Sequence, residues 1–330
     1  MHEPSVSLDR GSSPATAPLR LGMLGMIEGN GHPYSWSAIV NGYDRERMAL
    51  CPHAVIPRYL DVQPSGSVRV PGACVTHIWT DDPKDATAVA SAALIPHIVA
   101  KPADVIGEVD AVLIATDDGF DHVRRARPFV EAGLPVFVDK PLALTSDDLR
   151  TFVGWQRAGA RIQSSSGLRF APELDPLLED LSVGAPRWVA GLTCKTWERY
   201  GIHLLEPIAR VLGPGFKTVR LESQPGLEVA HLVHRTGVQI TLPVIEDGAA
   251  IFGTLHVCGT AGQKTVRFTD TYTAFRRQLL GFVDFVRTGE ASYPFSDTVE
   301  LMAILIAGRR SRAEHSRLVA IEEILQELSP

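Results

Sequence analysis

Short apolar runs alternate with segments of helical period through the first half of the chain. Leu19 to Ile27 (LRLGMLGMI) is apolar and reads as a first strand. A glycine-rich turn, Glu28 to Pro33, leads into a helix expected from near Ser35 to Asn41. Ala73 to Thr80 (ACVTHIWT) is the next strand and Lys84 to Ala93 the next helix, before a short strand at Ile98 and Val99 and a short helix at Ala103 to Ile106. The stretch from Asp110 to Pro141 is the clearest unit. Ala111 to Ala115 is a buried-strand run, and Asp117 to Gly119 supply a turn. A helix follows with Val123, Ala126, Val130 and Ala132 on one side and Arg124, Arg125 and Arg127 on the other. Gly133 ends it, and Pro135 to Val138 is a second buried strand. Strand, helix and strand in that order form the crossover that builds parallel sheets. Thr145 to Arg157 and Arg161 to Ser166 add a helix and a strand. Between Arg45 and Pro71 the pattern breaks into a short helical piece around Glu46 to Leu50 and then irregular sequence with four prolines, which reads as an insertion.

Beyond Gly167 the character changes. Arg187 to Thr193, Thr218 to Glu222, Val229 to His234, Gly237 to Leu242, Ala250 to Val257 and Thr265 to Phe268 are strand-like with few helices between them, as in an antiparallel sheet. Tyr272 to Thr288 and Ser296 to Arg312 supply two helices. The fold class expected is α/β over residues 19–166, followed by an α+β part with an open, mainly antiparallel sheet over 167–330. Residues 1–18, rich in Ser and Pro, read as a mobile tail.

The strand ends carry the candidate chemistry. Strand, glycine turn and helix make a setting for a dinucleotide, although Gly25, Ile27, Gly29, Asn30, Gly31 and His32 do not spell the usual glycine spacing. A turn that merely reverses the chain is the other reading. Asp81 after the second strand is placed to take ribose hydroxyls, with Thr80 as the competing position and helix capping by Asp81 or Asp82 as the alternative. Lys140, in Asp139-Lys140-Pro141, stands at the carboxyl end of its strand, where open α/β sheets bind ligands. An ammonium partly desolvated there can exchange a proton with a reacting hydroxyl or stabilise an alkoxide; a solvated lysine closing a strand is the alternative. A net charge of −6 without a basic stripe argues against nucleic acid. Four scattered cysteines without a CxxC pair suit a reducing cytoplasm. No run is long and apolar enough for a membrane span, and His231 and His234 lack a matching cluster for a metal.

These residues resemble the Gfo/Idh/MocA family of nicotinamide-dependent oxidoreductases. The likeness rests on Ile114-Ala115-Thr116 with His122 six residues on, on Asp139-Lys140-Pro141 where the family has Glu-Lys-Pro, on Gly201-Ile202-His203, and on Phe282 to Gly289. The resemblance implies a Rossmann domain, a C-terminal sheet that often makes a homodimer or homotetramer, and NAD or NADP as cofactor. It also implies a sugar derivative or cyclitol as substrate. Gly25, Ile27, Gly29, Asn30, Gly31, His32, Thr80, Asp81, Thr116, Asp117, His122, Asp139 and Lys140 would then line the cofactor. Lys140 and His203, with Tyr200, would handle the proton and the developing alkoxide, and Arg169, Glu198, Tyr200 and His203 would meet the substrate. Three places depart from the family pattern: Arg199 stands where many members carry Asp, Asp117 follows Thr116 where Pro is usual, and the phosphate loop is irregular, with Asn30 and His32 in unusual places. Tyr200 or Glu198 then becomes the candidate partner of His203. A ligand-binding member without turnover, or an epimerase or lyase using bound NAD transiently, are the alternatives that these departures suggest.

Overall fold

The computed structural model describes residues 17–64, 66–248 and 253–329; the tail at 1–16 and the first residues of the strand expected at Ala250 lie outside them. In chain order the elements of the first half are β1 (Leu19–Leu24), α1 (His32–Asn41), α2 (Arg45–Met48), α3 (Val55–Asp61), β2 (Ala73–Trp79), α4 (Pro83–Ala92) and β3 (His97–Ile98). They continue with β4 (Ala111–Ile114), α5 (His122–Glu131), β5 (Val136–Val138), α6 (Ser146–Arg157) and β6 (Ile162–Gln163). All six strands are parallel, in the order β3-β2-β1-β4-β5-β6. Every residue of β4 and β5 is buried, as central strands covered on both faces require. The order reverses between β1 and β4, which opens a crevice at their carboxyl ends.

The second half contains α7 (Asp175–Glu179), β7 (Pro186–Cys194), α8 (Trp197–Leu212), β8 (Phe216–Gln224), β9 (Leu227–His234), β10 (Gln239–Ile245), β11 (Thr254–Gly259) and β12 (Gln263–Arg267). It closes with α9 (Thr271–Thr288), α10 (Phe295–Ala313), β13 (Val319–Ala320) and α11 (Ile321–Glu327). Its seven strands run in the order β12-β11-β7-β10-β9-β8-β13 and are antiparallel except for the β7–β10 pair. Burial alternates along β9 and β10, with Ala230, Leu232, Ile240, Leu242 and Val244 under α8 and α10. The fold is therefore the expected α/β half plus a mainly antiparallel α+β half.

Two local outcomes matter for the site. The segment 45–71 is not irregular after Leu50: it contains α3, in which Ile56 and Leu60, four residues apart, are buried. Pro57 does not prevent this helix because it lies in the first turn, where a backbone N–H has no intrahelical partner. Helix α1 begins three residues earlier than the pattern suggested, with Pro33 pre-set for its first turn. Helix α9, although late in the chain, returns to the first core. Tyr272, Phe275, Leu279 and Phe282 pack there with Trp36 and Phe137.

Candidate functional site

Three strand ends meet at the crevice. Gly25 follows β1 at φ 85°, and a Cβ there would sit 2.8 Å from the Thr116 methyl, so only glycine allows the β1 and β4 turns to approach this closely. Lys140 follows β5, is almost fully buried, and has its Nζ 3.5 Å from Asp117 Oδ2 and 4.0 Å from Asp139 Oδ2. The same ammonium lies 5.7 Å from the centre of the Tyr200 ring. The solvated-lysine alternative is thereby excluded.

Asp117 faces Arg199, so two residues that depart from the resembled pattern meet each other. Arg199 Nη2 donates to both Asp117 oxygens at 2.7 and 2.8 Å, and its Nε donates at 3.0 Å. Burial by itself would raise the Asp117 pKa; the charges of Lys140 and Arg199 outweigh it and hold the carboxyl well below the usual range. These two departures are one partly buried ion pair spanning the crevice from the β4 end to α8.

Helix α8 starts where Thr196 accepts from the Arg199 N–H, and its inner side brings Tyr200 and His203 to Lys140. His203 is buried, with Nδ1 2.6 Å from Ser166 Oγ and its ring edge-on to Tyr200 at 4.8 Å. Burial first, and the Lys140 charge second, push its pKa well below the ordinary histidine value, so it is neutral at physiological pH. Ser166, in the segment that follows β6, is a hydrogen-bond partner of His203, whereas Glu198 pairs with arginines of α10. Lys195, just before α8, packs its ammonium 4.4 Å from the centre of the Tyr200 ring and has its pKa lowered by burial and by Arg199.

Three expected contacts are elsewhere. Glu198 pairs with Arg312 and, at 3.4 Å, with Arg309 on α10, so it faces the helix layer and not the crevice. Arg169 is buried in an ion pair with Glu206 at 2.5 Å, over the Tyr293 ring, and Glu206 in turn accepts from the Ser166 N–H. This pair supports Ser166 from behind instead of meeting a substrate. His122 is fully buried: Nε2 lies 2.7 Å from the Thr116 carbonyl and Nδ1 2.9 Å from that of Pro141. It ties the β4 and β5 ends together and has no surface for a cofactor.

A cavity of about 130 Å³ lies beside this cluster, lined by Asn30, His32, Asp117, Lys140, Tyr200 and His203 among others. Its far wall was not legible from sequence. His53, Ile56 and Tyr59 come from the insertion, Ser35 from α1, and Thr271 and Phe275 from α9. No local pattern marks these residues, because only the packing of α3 and α9 against α1 brings them there. Inside the cavity rim, His32 Nδ1 is 2.6 Å from Asp139 Oδ2, which also accepts from Asn30 at 3.1 Å. Asp139 Oδ1 accepts from the Lys140 N–H at 2.7 Å.

Gly25, Ile27, Thr80 and Asp81 lie outside that cavity, along the continuing line of strand ends. These residues fit a dinucleotide. Gly31 gives α1 no side-chain cap, but the His32 N–H is bonded to Asn30 Oδ1 at 2.8 Å and Pro33 has no N–H, so what the helix start offers an anion is chiefly its partial positive charge; Thr116 Oγ1 is buried without a partner among the described residues. Asp81 accepts from the Met26 N–H at 3.1 Å and from Arg125 at 2.8 and 3.2 Å. Thr80 instead donates to the Asp82 carbonyl, and Asp82 caps α4. Among the described residues no group of three or more His, Cys, Asp or Glu side chains is arranged to hold a metal, and no helix is long and apolar enough to cross a membrane.

Residues 63–161 match the model of the Gfo/Idh/MocA oxidoreductase family, described as an NAD-binding Rossmann fold. An inositol 2-dehydrogenase of Saccharopolyspora erythraea is 36% identical over 123 residues, 35% of this chain and 36% of that protein. The rhizopine catabolism protein MocA of Rhizobium meliloti is 32% identical over 93 residues, 28% of this chain and 29% of that protein. The matched segment thus spans about a third of the length of these relatives. Among solved structures, scyllo-inositol dehydrogenase of Lactobacillus casei with bound NAD(H) and scyllo-inositol superposes with a TM-score of 0.72 at 13% identity, covering 92% of this chain and 99% of that one. That likeness is one of fold, across both halves.

Proposed function

We propose that this member of the Gfo/Idh/MocA oxidoreductases is an NAD(P)-dependent dehydrogenase or reductase acting on a CH–OH group of a cyclitol or sugar-like substrate. The observation that carries the reading is the convergence of Lys140, from the β5 end, with His203, from α8, on one cavity beside the strand-end crevice. The nicotinamide, when bound, supplies the hydride acceptor or donor. Gly25, Gly29, Gly31 and the α1 N-terminus would hold the dinucleotide, with Thr116 at its approach to the cavity. Lys140 would stabilise the oxygen that gains negative charge, which a cation in a water-poor site does effectively. His203, kept neutral, would accept or return the hydroxyl proton, with Tyr200 packed against both groups. The names of the two curated relatives and of the neighbour structure support the cyclitol half of the reading. A cytoplasmic setting belongs to the same proposal, as does a homodimer or homotetramer packed on the outer face of the second sheet, where Trp188 is exposed.

Fluorescence titration with NADH and NADPH, followed by absorbance at the nicotinamide band with a panel of inositols and sugars, tests it. Micromolar cofactor binding and turnover of at least one polyol are expected; absence of binding at millimolar cofactor refutes it. Lys140→Ala should lose about a hundredfold or more in kcat, read at a temperature where the variant is still folded, since it also takes a counter-ion from the buried Asp117 and Asp139. A variant that keeps full turnover would remove the mechanism. The second reading, a member that binds ligand without turnover, draws on the Asp117–Arg199 pair, which ties up charges close to Lys140. Ligand binding without any reduction of cofactor would favour it.

A further inference from the structure

A proton released in the cavity cannot stay on His203. That ring is buried, its pKa is depressed, and its charged form would sit beside the Lys140 ammonium. Its Nδ1 lies 2.6 Å from Ser166 Oγ, which also accepts from the Leu168 N–H.

A second imidazole lines the same cavity with a carboxylate in direct contact. His32 has Nδ1 2.6 Å from Asp139 Oδ2, and Asp139 is fully buried. A carboxylate accepts only, so the contact holds the His32 proton on Nδ1 and leaves Nε2 as the basic nitrogen. Nε2 has no hydrogen-bond partner among the described residues. Stacking on Trp36 at 4.5 Å and edge contact with Phe275 at 5.3 Å fix the ring plane. The His32 side chain keeps 14% exposure, which gives it a route to water. Asn30 Nδ2 and the Lys140 N–H complete the Asp139 shell, as an orienting carboxylate requires. The charged and titratable groups facing His32 are Asp139 and Asp117 on the strand ends, Lys140 beside them, His53 before α3 and His203 on α8.

We propose that His32, oriented by Asp139, is the terminal proton acceptor of this site, a role that rests on the oxidoreductase reading. In the oxidative direction the C–H electron pair leaves as hydride to an oxidised nicotinamide dinucleotide, and the O–H pair closes the carbonyl. The hydroxyl proton comes to rest on His32 Nε2. The imidazolium so formed touches a carboxylate oxygen, which it shares with the Lys140 ammonium 4.0 Å away, whereas the Nδ1 contact of His203 is the Ser166 hydroxyl.

Two measurements on the full-length protein test this. In ¹⁵N-histidine-labelled protein, His32 should be the Nδ1–H tautomer with a strongly downfield Nδ1 proton, a signal lost in Asp139→Asn; an Nε2–H tautomer overturns the proposal without any reference to turnover. In kinetics with NAD and a panel of myo-inositol, scyllo-inositol and D-glucose, His32→Ala should lose about a hundredfold in kcat. The Kd for NADH should move less than about threefold, and millimolar imidazole should restore part of the rate. Unchanged kcat, or a loss of cofactor affinity in proportion to the loss of rate, overturns the dyad and leaves the dehydrogenase reading standing. A wild-type protein that binds neither nicotinamide cofactor sinks that reading and the dyad with it.

Discussion

Replacing Asp117 by Asn tests the electrostatic centre of the site directly. The substitution keeps the shape and removes the charge that faces both Lys140 and Arg199. Removing one member of a buried ion pair costs about 3–5 kcal/mol, because the remaining charge is stranded. Two features put Asp117→Asn at the lower end. Asp139 remains 4.0 Å from Lys140 Nζ, and Arg199 is 34% exposed and can turn to water. The expected loss is therefore about 3 kcal/mol, which lowers the urea midpoint by about 1–2 M. The pH dependence has a definite sign. The folded-state pKa of Asp117 is depressed, so its contribution is complete above the unfolded value of about 3.9 and disappears as the pH falls below that toward the folded value. Urea unfolding of wild type and variant should give the same gap at pH 7 and about pH 5, and a narrower one near pH 3.5. A double-mutant cycle with Arg199→Gln should return a coupling of about 1–3 kcal/mol. A gap below about 1 kcal/mol at neutral pH, or one that widens on acidification, would refute the assignment of Asp117 as the shared counter-ion.

Three further outcomes follow from the same contacts. His122→Ala removes both carbonyl contacts between the β4 and β5 ends and should cost about 2–4 kcal/mol; because those ends carry Asp117 and Lys140, kcat should fall with stability, read by thermal unfolding alongside turnover. Glu206→Gln strands the buried Arg169 guanidinium, with only Asp297 left at 3.5 Å, and should destabilise by about 2–4 kcal/mol in urea. Tyr59→Phe deletes the hydroxyl that bonds to Ser35 at the cavity wall. Since Tyr59 belongs to the insertion and not to the strand ends, the change should raise KM for substrate at least threefold and leave the Kd for NADH within about twofold.

What the sequence disclosed and what it hid divide along a physical line. Parallel strands buried on both faces leave short apolar runs between turns, so the crossover from Ala111 to Val138 and the position of Lys140 were legible. Helix α3 was hidden by Pro57, whose cost vanishes in a first turn. The cavity wall of His53, Ile56, Tyr59, Thr271 and Phe275 was hidden for a different reason. Its members are joined only by tertiary packing of segments more than 200 residues apart, which periodicity does not encode. His122, Arg169 and Glu198 have partners in the backbone and charges behind the crevice, and in sequence a polar residue near a motif looks the same whether it does that or faces a ligand. The departures at Asp117 and Arg199 show the limit most clearly. Taken singly, each suggested a damaged site, a proline lost from one turn and an acid lost from one helix. In the fold they are 2.7 Å apart, with an acid on the β4 side and a base on the α8 side. Loss of either charge alone would strand the other at a cost of several kcal/mol; as a matched pair across the crevice, with Lys140 as its third member, none of the three is left without a counter-ion.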